Sequence, residues 1–169
     1  HFGHSDAVRE LLQDERVEVN ALIENNGCSP LHLAAILGHV MRQLLQNERL
    51  EVNLPCRTSD TRMALHIASH FGHSDAVREL LRNERVEVNA VENKGYSPLH
   101  YAALFDHSDV IHQLLQNERL EVNLPCRTSD TRMALHIASH FGHSDAVREL
   151  LRNERVEVNA VENNGYSPL

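Results

Sequence analysis

The apolar positions of the chain follow two alternating patterns, and each is typical of a short helix. Residues 74–81 place Val77, Leu80 and Leu81 at positions i, i+3 and i+4, which form one face of a helix. A second type of helix is predicted over residues 98–105, where a proline suited to a first helical turn opens an apolar run. Polar turns separate the two patterns. The chain is therefore predicted to consist of short helices joined by turns.

This pattern recurs along the chain with a fixed period. Residues 46–93 recur unchanged as residues 116–163, an offset of 70 residues. Each 70-residue unit is itself double, because a Leu-His pair follows Ser-Pro or Met-Ala at regular intervals. These starts are Ser29, Met63, Ser97 and Met133, spaced by 34, 34 and 36 residues. Such periods are typical of solenoid proteins, in which every repeat stacks on its neighbours.

Residues 95–103 carry a motif that resembles the ankyrin repeat. Gly-Tyr-Ser-Pro-Leu-His-Tyr-Ala-Ala is followed by His107, Leu114-Leu115 and Val122-Asn123, as in that family. The resemblance covers the whole chain and implies an all-α solenoid of stacked helix pairs with projecting turns. A single array is expected over 1–169. Its parts are a partial unit 1–23, whole units 24–57, 58–91, 92–127 and 128–161, and a stub 162–169.

Composition and charge narrow the function classes. Sixteen basic residues face 24 acidic ones, the net charge is −8, and Lys94 is the only lysine. Nucleic-acid binding is not expected, because it needs clustered positive charge. Membrane insertion is not expected either, since no apolar run approaches the roughly 20 residues of a spanning helix. Aromatic residues make up 4% of the chain, so its core must be built from Leu, Val, Ile and Ala.

Three cysteines bear on compartment and chemistry. Cys28, Cys56 and Cys126 are an odd number, and their spacings match no zinc or disulfide framework. Reduced thiols are typical of intracellular proteins, which predicts a cytoplasmic location. Cys56 and Cys126 fall in predicted turns, each followed by an arginine, and we expect them to be exposed, inert thiols.

Thirteen histidines raise the question of a metal site. His66 and His70 are spaced i, i+4 with His73 nearby, but no cysteine or carboxylate completes the set at ligand spacing. The resemblance implies that histidines of the Leu-His and Gly-His motifs join neighbouring loops by hydrogen bonds. These are His4, His32, His39, His66, His73, His100, His107, His136 and His143. With no nucleophile or phosphate-loop motif either, no metal, no cofactor and no enzymatic activity are expected.

The resemblance implies protein binding on a concave surface formed by turn tips and the first helix of each unit. The matching candidates are Arg62, His70, Phe71, Asn93, Lys94, Tyr96, Leu104, Phe105, Arg132, His140, Phe141, Asn164 and Tyr166. The unit 24–57 adds Asn26, Cys28, Ile36 and Leu37. Tyr, Arg and Phe are the types that anchor interfaces, although the three phenylalanines could instead pack between units.

Two functions remain open at this point. One is a scaffold that binds a protein partner of unknown identity. The other is a structural, spring-like segment of a large protein, which the near-identity of the two 70-residue units also suits. Because the chain begins and ends inside a unit, we expect a fragment of a longer array whose uncovered ends can stack on another copy.

Three asparagines form a separate group of candidates. Asn20, Asn89 and Asn159 stand in Glu-Val-Asn-Ala, eight residues after a leucine. They are predicted to have buried side chains that hold the loop in place. The pattern also resembles the substrates of animal asparaginyl hydroxylases that act on ankyrin repeats, which makes hydroxylation a hypothesis for these positions.

Overall fold

The computed structural model describes residues 10–23, 27–37 and 41–168. The first helices of successive units are α1 (Pro30–Leu37), α3 (Ala64–His70), α5 (Pro98–Leu104) and α7 (Ala134–His140). The second helices are α2 (Met41–Leu45), α4 (Ser74–Leu81), α6 (Ser108–Leu115) and α8 (Ser144–Leu151). Residues 10–13 are also helical. These ranges contain no strand, so the predicted all-α repeat solenoid is confirmed.

Equivalent helices pack on one another from unit to unit. Helix α5 contacts α3 on one side and α7 on the other, and α6 lies between α4 and α8 in the same way. The result is a layer of first helices beside a layer of second helices. One core therefore runs through the whole stack, as expected when a single repeat cannot bury its own apolar face.

Small side chains set the spacing of the first helices. Ala34, Ala68, Ala102 and Ala138 occupy the same position in the four units, and each is at most 2% exposed. An alanine at a helix contact lets the two axes approach closely. The second helices bury larger side chains at their contacts, such as Leu114.

Serine and methionine start the first helices with the same backbone geometry. Ser97 precedes α5 at φ −89° and ψ 170°, and Met63 precedes α3 at φ −84° and ψ 167°. The Ser97 hydroxyl accepts from the backbone N–H of His100 and lies 2.7 Å from the Nδ1 atom of that histidine. Methionine has no hydroxyl, and Met63 makes no side-chain capping bond.

Histidines join each unit to the next. The Ser97 N–H donates to Nδ1 of His100 over 3.0 Å, so the proton lies on Nε2, which donates to the Arg132 carbonyl over 3.2 Å. The same arrangement recurs at His32, which donates to the Arg62 carbonyl of the next unit. His66 and His136 accept in the same way at Nδ1, but they donate to the Ala90 and Ala160 carbonyls at the ends of their own units. A second row donates from Nε2 to carbonyls of the preceding unit; it comprises His73, His107 and His143. The predicted loop-joining role is confirmed for these seven, while His4 and His39 lie outside the described residues.

Asparagines join the loops that follow the second helices. Asn89 donates from Nδ2 to the Arg119 carbonyl and accepts from the Glu121 N–H, each over 2.8 Å. The same pair of bonds recurs at Asn20, Asn53 and Asn123. The loop-tying role predicted for Asn20 and Asn89 is therefore confirmed.

The predicted burial of these side chains is wrong. Asn20 and Asn89 are half-buried, because the bonds need only the carboxamide tip at the surface between two loops. Asn159 is exposed and makes no such bond to any residue in the part of the chain that the structure describes. The role of each asparagine thus depends on the loop of the following unit.

Candidate functional site

Aromatic rings gather where the first helices of the two middle units meet. The ring of His70 lies 4.4 Å from that of Phe105, 4.8 Å from that of Phe71 and 5.5 Å from that of Tyr101, centroid to centroid. Phe105 stacks almost parallel to Tyr101 at 6.5 Å, and the Arg62 guanidinium lies 5.8 Å above the tyrosine ring. We call these five residues the aromatic cluster. It joins side chains from two units into one surface, and the Arg62 contact is a cation–π arrangement.

Tyr101 was not among the sequence candidates. Its side chain is largely buried at 6% exposure, and this burial raises the pKa of its phenol to about 12. The signal in the sequence is that Leu33, Ile67 and Ile137 occupy this position in the other units. A single aromatic residue at a position that is aliphatic in the other units could have drawn attention to Tyr101. The sequence does not show which residues of the neighbouring unit it contacts.

Charged side chains lie beside the aromatic cluster. The Asp60 carboxylate is 2.8 Å from the Lys94 ammonium and 3.5 Å from the Arg62 guanidinium. The hydrogen bond from Lys94 lowers the pKa of Asp60 below its ordinary value. One period later, Asp130 keeps the ion pair with Arg132 at 3.5 Å, but Asn164 stands where Lys94 would be. The two periods therefore differ in charge at this turn.

A buried carboxylate shapes the turn that carries Lys94 and Tyr96. Glu92 is 4% exposed and accepts from the N–H groups of Lys94 over 2.9 Å and of Tyr96 over 3.0 Å. Between them Gly95 has φ +86°, and a Cβ atom there would lie 2.8 Å from the backbone of Arg127. Only glycine fits both this conformation and this contact. The tip is thereby fixed against the next unit.

An exposed apolar side chain ends the first helix of every whole unit. Leu37, Phe71, Phe105 and Phe141 are 60%, 48%, 42% and 54% exposed, and we call them the apolar row. The phenylalanines contact histidine rings at their edges, as Phe141 does with His140 at 5.0 Å. About half of each ring remains open to solvent, so packing between units accounts for only part of its surface.

The remaining candidates lie at the turn tips or beside the rings. Asn93 is exposed, yet its Nδ2 donates to the Ser59 carbonyl over 3.1 Å. Tyr96 is half-buried, and its ring lies 5.8 Å from that of Tyr101. Exposed or half-buried side chains also include Lys94, Leu104, Arg132, His140, Asn164, Tyr166, Ile36 and Leu37. Asn26 lies outside the described residues. The binding role of the whole set stays a prediction.

A cavity of about 340 Å³ lies between α7 and the turn at residues 162–168. Its walls include Arg132, His136, His140 and Tyr166. One period earlier the equivalent walls surround Tyr101, whose ring lies 6.2 Å from that of His66 and 5.5 Å from that of His70. The cavity thus corresponds, one period later, to the space that Tyr101 fills between the two middle units.

The expectation of exposed cysteines is wrong. Cys56 and Cys126 are 3% and 2% exposed, and Cys28 is also buried. The turns that hold Cys56 and Cys126 fold against the turns that begin at Gly27 and Gly95, and the Arg57 N–H donates to the Gly27 carbonyl over 3.1 Å. Backbone pairing between turns buries the thiols, and local sequence does not reveal it. Burial also removes Cys28 from the candidate binding residues.

The described residues also bear on metal binding and membrane insertion. Among the described residues, no three His, Cys, Asp or Glu side chains converge as metal ligands would. Within the same ranges, no helix has both the length and the apolar character needed to cross a bilayer.

Comparison with known families agrees with the repeat pattern. A model described as ankyrin repeats in three copies matches residues 41–126, and one described as ankyrin repeats in many copies matches residues 114–169. The chain belongs to the ankyrin-repeat family. Ankyrin repeats generally mediate protein–protein contacts and are typically non-enzymatic. No curated protein matches the chain. The resemblance is thus confirmed over 41–169, while the boundaries of the individual units stay a prediction.

Proposed function

We propose that this ankyrin-repeat chain is a scaffold that binds a protein partner along its first helices and turn tips. The observation that carries the proposal is the apolar row of Leu37, Phe71, Phe105 and Phe141, which exposes one large apolar side chain per unit. Contiguous exposed apolar surface rimmed by polar groups is typical of interaction sites. Asp60, Lys94 and Arg62 supply such a polar rim at the centre.

The spacing of the apolar row constrains the partner. Packed helix layers are roughly 8–10 Å apart, so the row offers an apolar contact about every 10 Å. A helix that rises about 1.5 Å per residue matches this with apolar side chains at i and i+7. A segment in the polyproline II conformation, with three residues per turn and a rise of about 3.1 Å per residue, matches it with side chains at i and i+3. The proposed partner therefore carries regularly spaced apolar residues.

The aromatic cluster is the proposed energetic centre of this face. Tyr101 is buried beneath Arg62 and Phe105, so it fixes the orientation of two side chains that solvent still reaches. Pre-ordered arginine and aromatic side chains near the middle of an interface commonly contribute most of its binding energy. Unit 128–161 has Ile137 in place of the tyrosine, which makes the middle units the stronger site.

Selection from a displayed random-peptide library tests the proposal. Selected peptides should lose about tenfold or more in affinity for Phe105→Ala and Arg62→Ala, a loss of at least about 1.4 kcal/mol. Arg82→Ala is the matched control, because Arg82 lies exposed at the end of α4 in the layer of second helices. Peptides that respond to Arg82→Ala and not to Phe105→Ala would contradict the proposed face.

A structural, spring-like segment is the second candidate. It is favoured by the rows of histidine and asparagine bonds that join every described unit to the next, and by the unchanged 48-residue repeat. Mechanical extension should then release the chain in similar steps, one unit at a time. Failure of the library to yield any peptide, together with such steps, would favour this function over the scaffold.

End-to-end stacking of two copies is proposed from the cavity near residues 162–168. That cavity has the walls that enclose Tyr101 one period earlier, and Tyr166 beside it is 70% exposed. Measurements of molecular size at a series of protein concentrations should show that copies of the chain associate, and the Tyr166→Ser variant should associate more weakly. A monomer at all concentrations would contradict stacking while leaving the scaffold proposal intact.

Hydroxylation of the Glu-Val-Asn-Ala asparagines stays a proposal. The Asn89 carboxamide is engaged in two 2.8 Å bonds, whereas that of Asn159 is exposed. An asparaginyl hydroxylase should therefore modify Asn159 before Asn89, because Asn89 must first leave its loop. Intact-mass analysis after incubation with the enzyme, with Asn159→Ala as control, tests this; an unchanged mass of the parent chain rejects it.

A further inference from the structure

Two buried thiols from successive turns of the stack lie in contact. The Sγ atoms of Cys28 and Cys56 are 3.0 Å apart, although 28 residues separate them in the sequence. Cys28 is 5% exposed and Cys56 is 3% exposed. A disulfide needs its sulfurs to approach to about 2.05 Å, so only a small rotation of the side chains separates this pair from a bond.

The backbone already holds the two cysteines opposite each other. Arg57, which follows Cys56, donates its N–H to the carbonyl of Gly27, which precedes Cys28, over 3.1 Å. Together with the contact between the sulfurs, this bond shows that the two turn segments pass each other in opposite directions, with the cysteines facing one another. Directly opposed residues of antiparallel chains have Cα separations of about 4.5–5.5 Å, within the range that disulfides accept.

The next period provides an internal comparison. Cys126 corresponds to Cys56, but Tyr96 stands at the position of Cys28. Cys126 instead lies 2.9 Å from the Thr128 hydroxyl. The same turn thus occurs once with a facing thiol and once without, so the thiol pair belongs to only one of these two equivalent turn pairs.

We propose that Cys28 and Cys56 form a reversible disulfide that fastens the turn at residues 27–29 to the turn at residues 54–62. The oxidant is a small-molecule disulfide such as oxidised glutathione. One protein thiolate attacks it, forms a mixed disulfide and releases one glutathione thiolate. The second protein thiolate attacks the protein sulfur of that intermediate, forms the Cys28–Cys56 bond and releases the second glutathione. Both cysteine sulfurs are oxidised, the small disulfide is reduced to two thiols, and the two protons pass to the departing thiolates.

Burial makes the reaction slow at neutral pH. Desolvation and the neighbouring Cys56 raise the pKa of the Cys28 thiol to about 11. Because the thiolate is the attacking species, bond formation should accelerate as the pH rises toward that value. In a reducing compartment the pair remains a dithiol, and it closes only when the disulfide pool rises.

The bond would stabilise the turn that carries part of the proposed binding face. Residues 57–62 follow Cys56 directly, and the carbonyl of Arg62 lies 3.1 Å from Nε2 of His32 in the preceding unit. A cross-link at Cys56 therefore restrains Arg62 and Asp60 from one side and complements the histidine bond on the other.

The test equilibrates the reduced 169-residue chain in glutathione buffers of increasing disulfide content, followed by acid quench, alkylation and intact mass. Tryptic peptides 50–57 and 120–127 have the same sequence, so peptide mapping alone cannot distinguish Cys56 from Cys126. The Cys126→Ser variant removes this ambiguity. It should lose two hydrogen atoms in mass and yield peptide 17–42 joined to peptide 50–57.

Thermal unfolding supplies the second measurement. Oxidised Cys126→Ser should melt about 5 °C or more above its dithiothreitol-treated form, because the bond closes a loop of about 28 residues. The doubly substituted C28S/C126S chain is the control, and its melting should not respond to dithiothreitol. The proposal is overturned if Cys126→Ser stays a dithiol in excess oxidised glutathione, carries only glutathione adducts, or cross-links to another molecule.

Discussion

At the scale of single residues, two deeply buried histidines are held in the neutral form by their hydrogen bonds. His66 and His100 use Nδ1 as acceptor and Nε2 as donor, which leaves no position for an additional proton. Burial lowers the pKa of each imidazole from its ordinary 6.5 to about 4. Because the two imidazoles make these hydrogen bonds only in their neutral form, protonation at low pH should destabilise the stack.

Stability should fall as the pH drops from about 6.5 to 4. In this window the unfolded chain binds protons at His66 and His100 that the folded chain excludes. Because the folded pKa lies below the unfolded one, each histidine contributes stability above pH 6.5, and roughly 3 kcal/mol of it is lost by pH 4. Urea unfolding at pH 7, 6, 5 and 4 measures this loss.

A single substitution isolates the contribution of His100. His100→Gln retains an amide that can donate to the Arg132 carbonyl but cannot titrate, so it should flatten the pH dependence while lowering stability at pH 7. His140→Gln is the control, since this side chain is exposed on the same layer of helices. An unchanged slope in His100→Gln would show that other groups cause the acid sensitivity.

At the scale of single elements, the first helices fall into two types by how they begin. Ser97 and Met133 adopt nearly the same φ and ψ, but the methionine supplies no capping oxygen. Met133→Ser should raise the free energy of unfolding by about 0.5–1 kcal/mol, because a serine there can accept from the third backbone N–H. The half-buried methionine loses little packing.

The reverse change completes the test of the cap. Ser97→Ala should cost about 1 kcal/mol, since it removes both the cap and the 2.7 Å contact with His100. Urea unfolding of the two variants measures both effects. A destabilised Met133→Ser together with a neutral Ser97→Ala would show that the hydroxyl has no capping role.

The elements themselves could be predicted because their signals are local. Apolar spacing, the helix-opening proline and the 70-residue repeat lie within short windows, and the helices were found where these signals predicted them. The contacts between units could not be predicted in this way. The position of Tyr101 beneath Arg62 depends on how two units meet, and that of Cys28 beside Cys56 depends on how two turns separated by a helix pair meet. The burial of Cys126 has the same origin, which is why its predicted exposure was wrong.

The asparagine loops offer a matched pair in one sequence context. Asn89 and Asn159 both stand in Glu-Val-Asn-Ala, yet Asn89 alone makes the two bonds to the following loop. Asn89→Ala should destabilise the chain by about 1–2 kcal/mol, and Asn159→Ala by less than about 0.5 kcal/mol. Equal losses, measured by urea unfolding, would place the effect inside the loop rather than between units.

At the scale of the whole molecule, burial depends on position in the stack rather than on sequence. Val88 and Val158 lie in identical segments, and the units that precede them share the same 48-residue repeat. Val88 is nevertheless 4% exposed, whereas Val158 is 39% exposed. The difference comes from the unit that follows Val88, which supplies the covering surface. Stability is therefore a sum over neighbouring interfaces, and identical repeats contribute unequally.

This dependence predicts unequal costs for the same substitution. Val88→Ala removes buried methyl groups and should cost about 2 kcal/mol, whereas Val158→Ala should cost less than about 0.5 kcal/mol. Helix and strand propensities cancel in the comparison, because the local sequences are the same. Urea unfolding should be measured at low and high protein concentration, since stacking of two copies would cover Val158 and raise its cost only at high concentration. Equal costs at both concentrations would contradict the assignment of Val88 burial to the following unit.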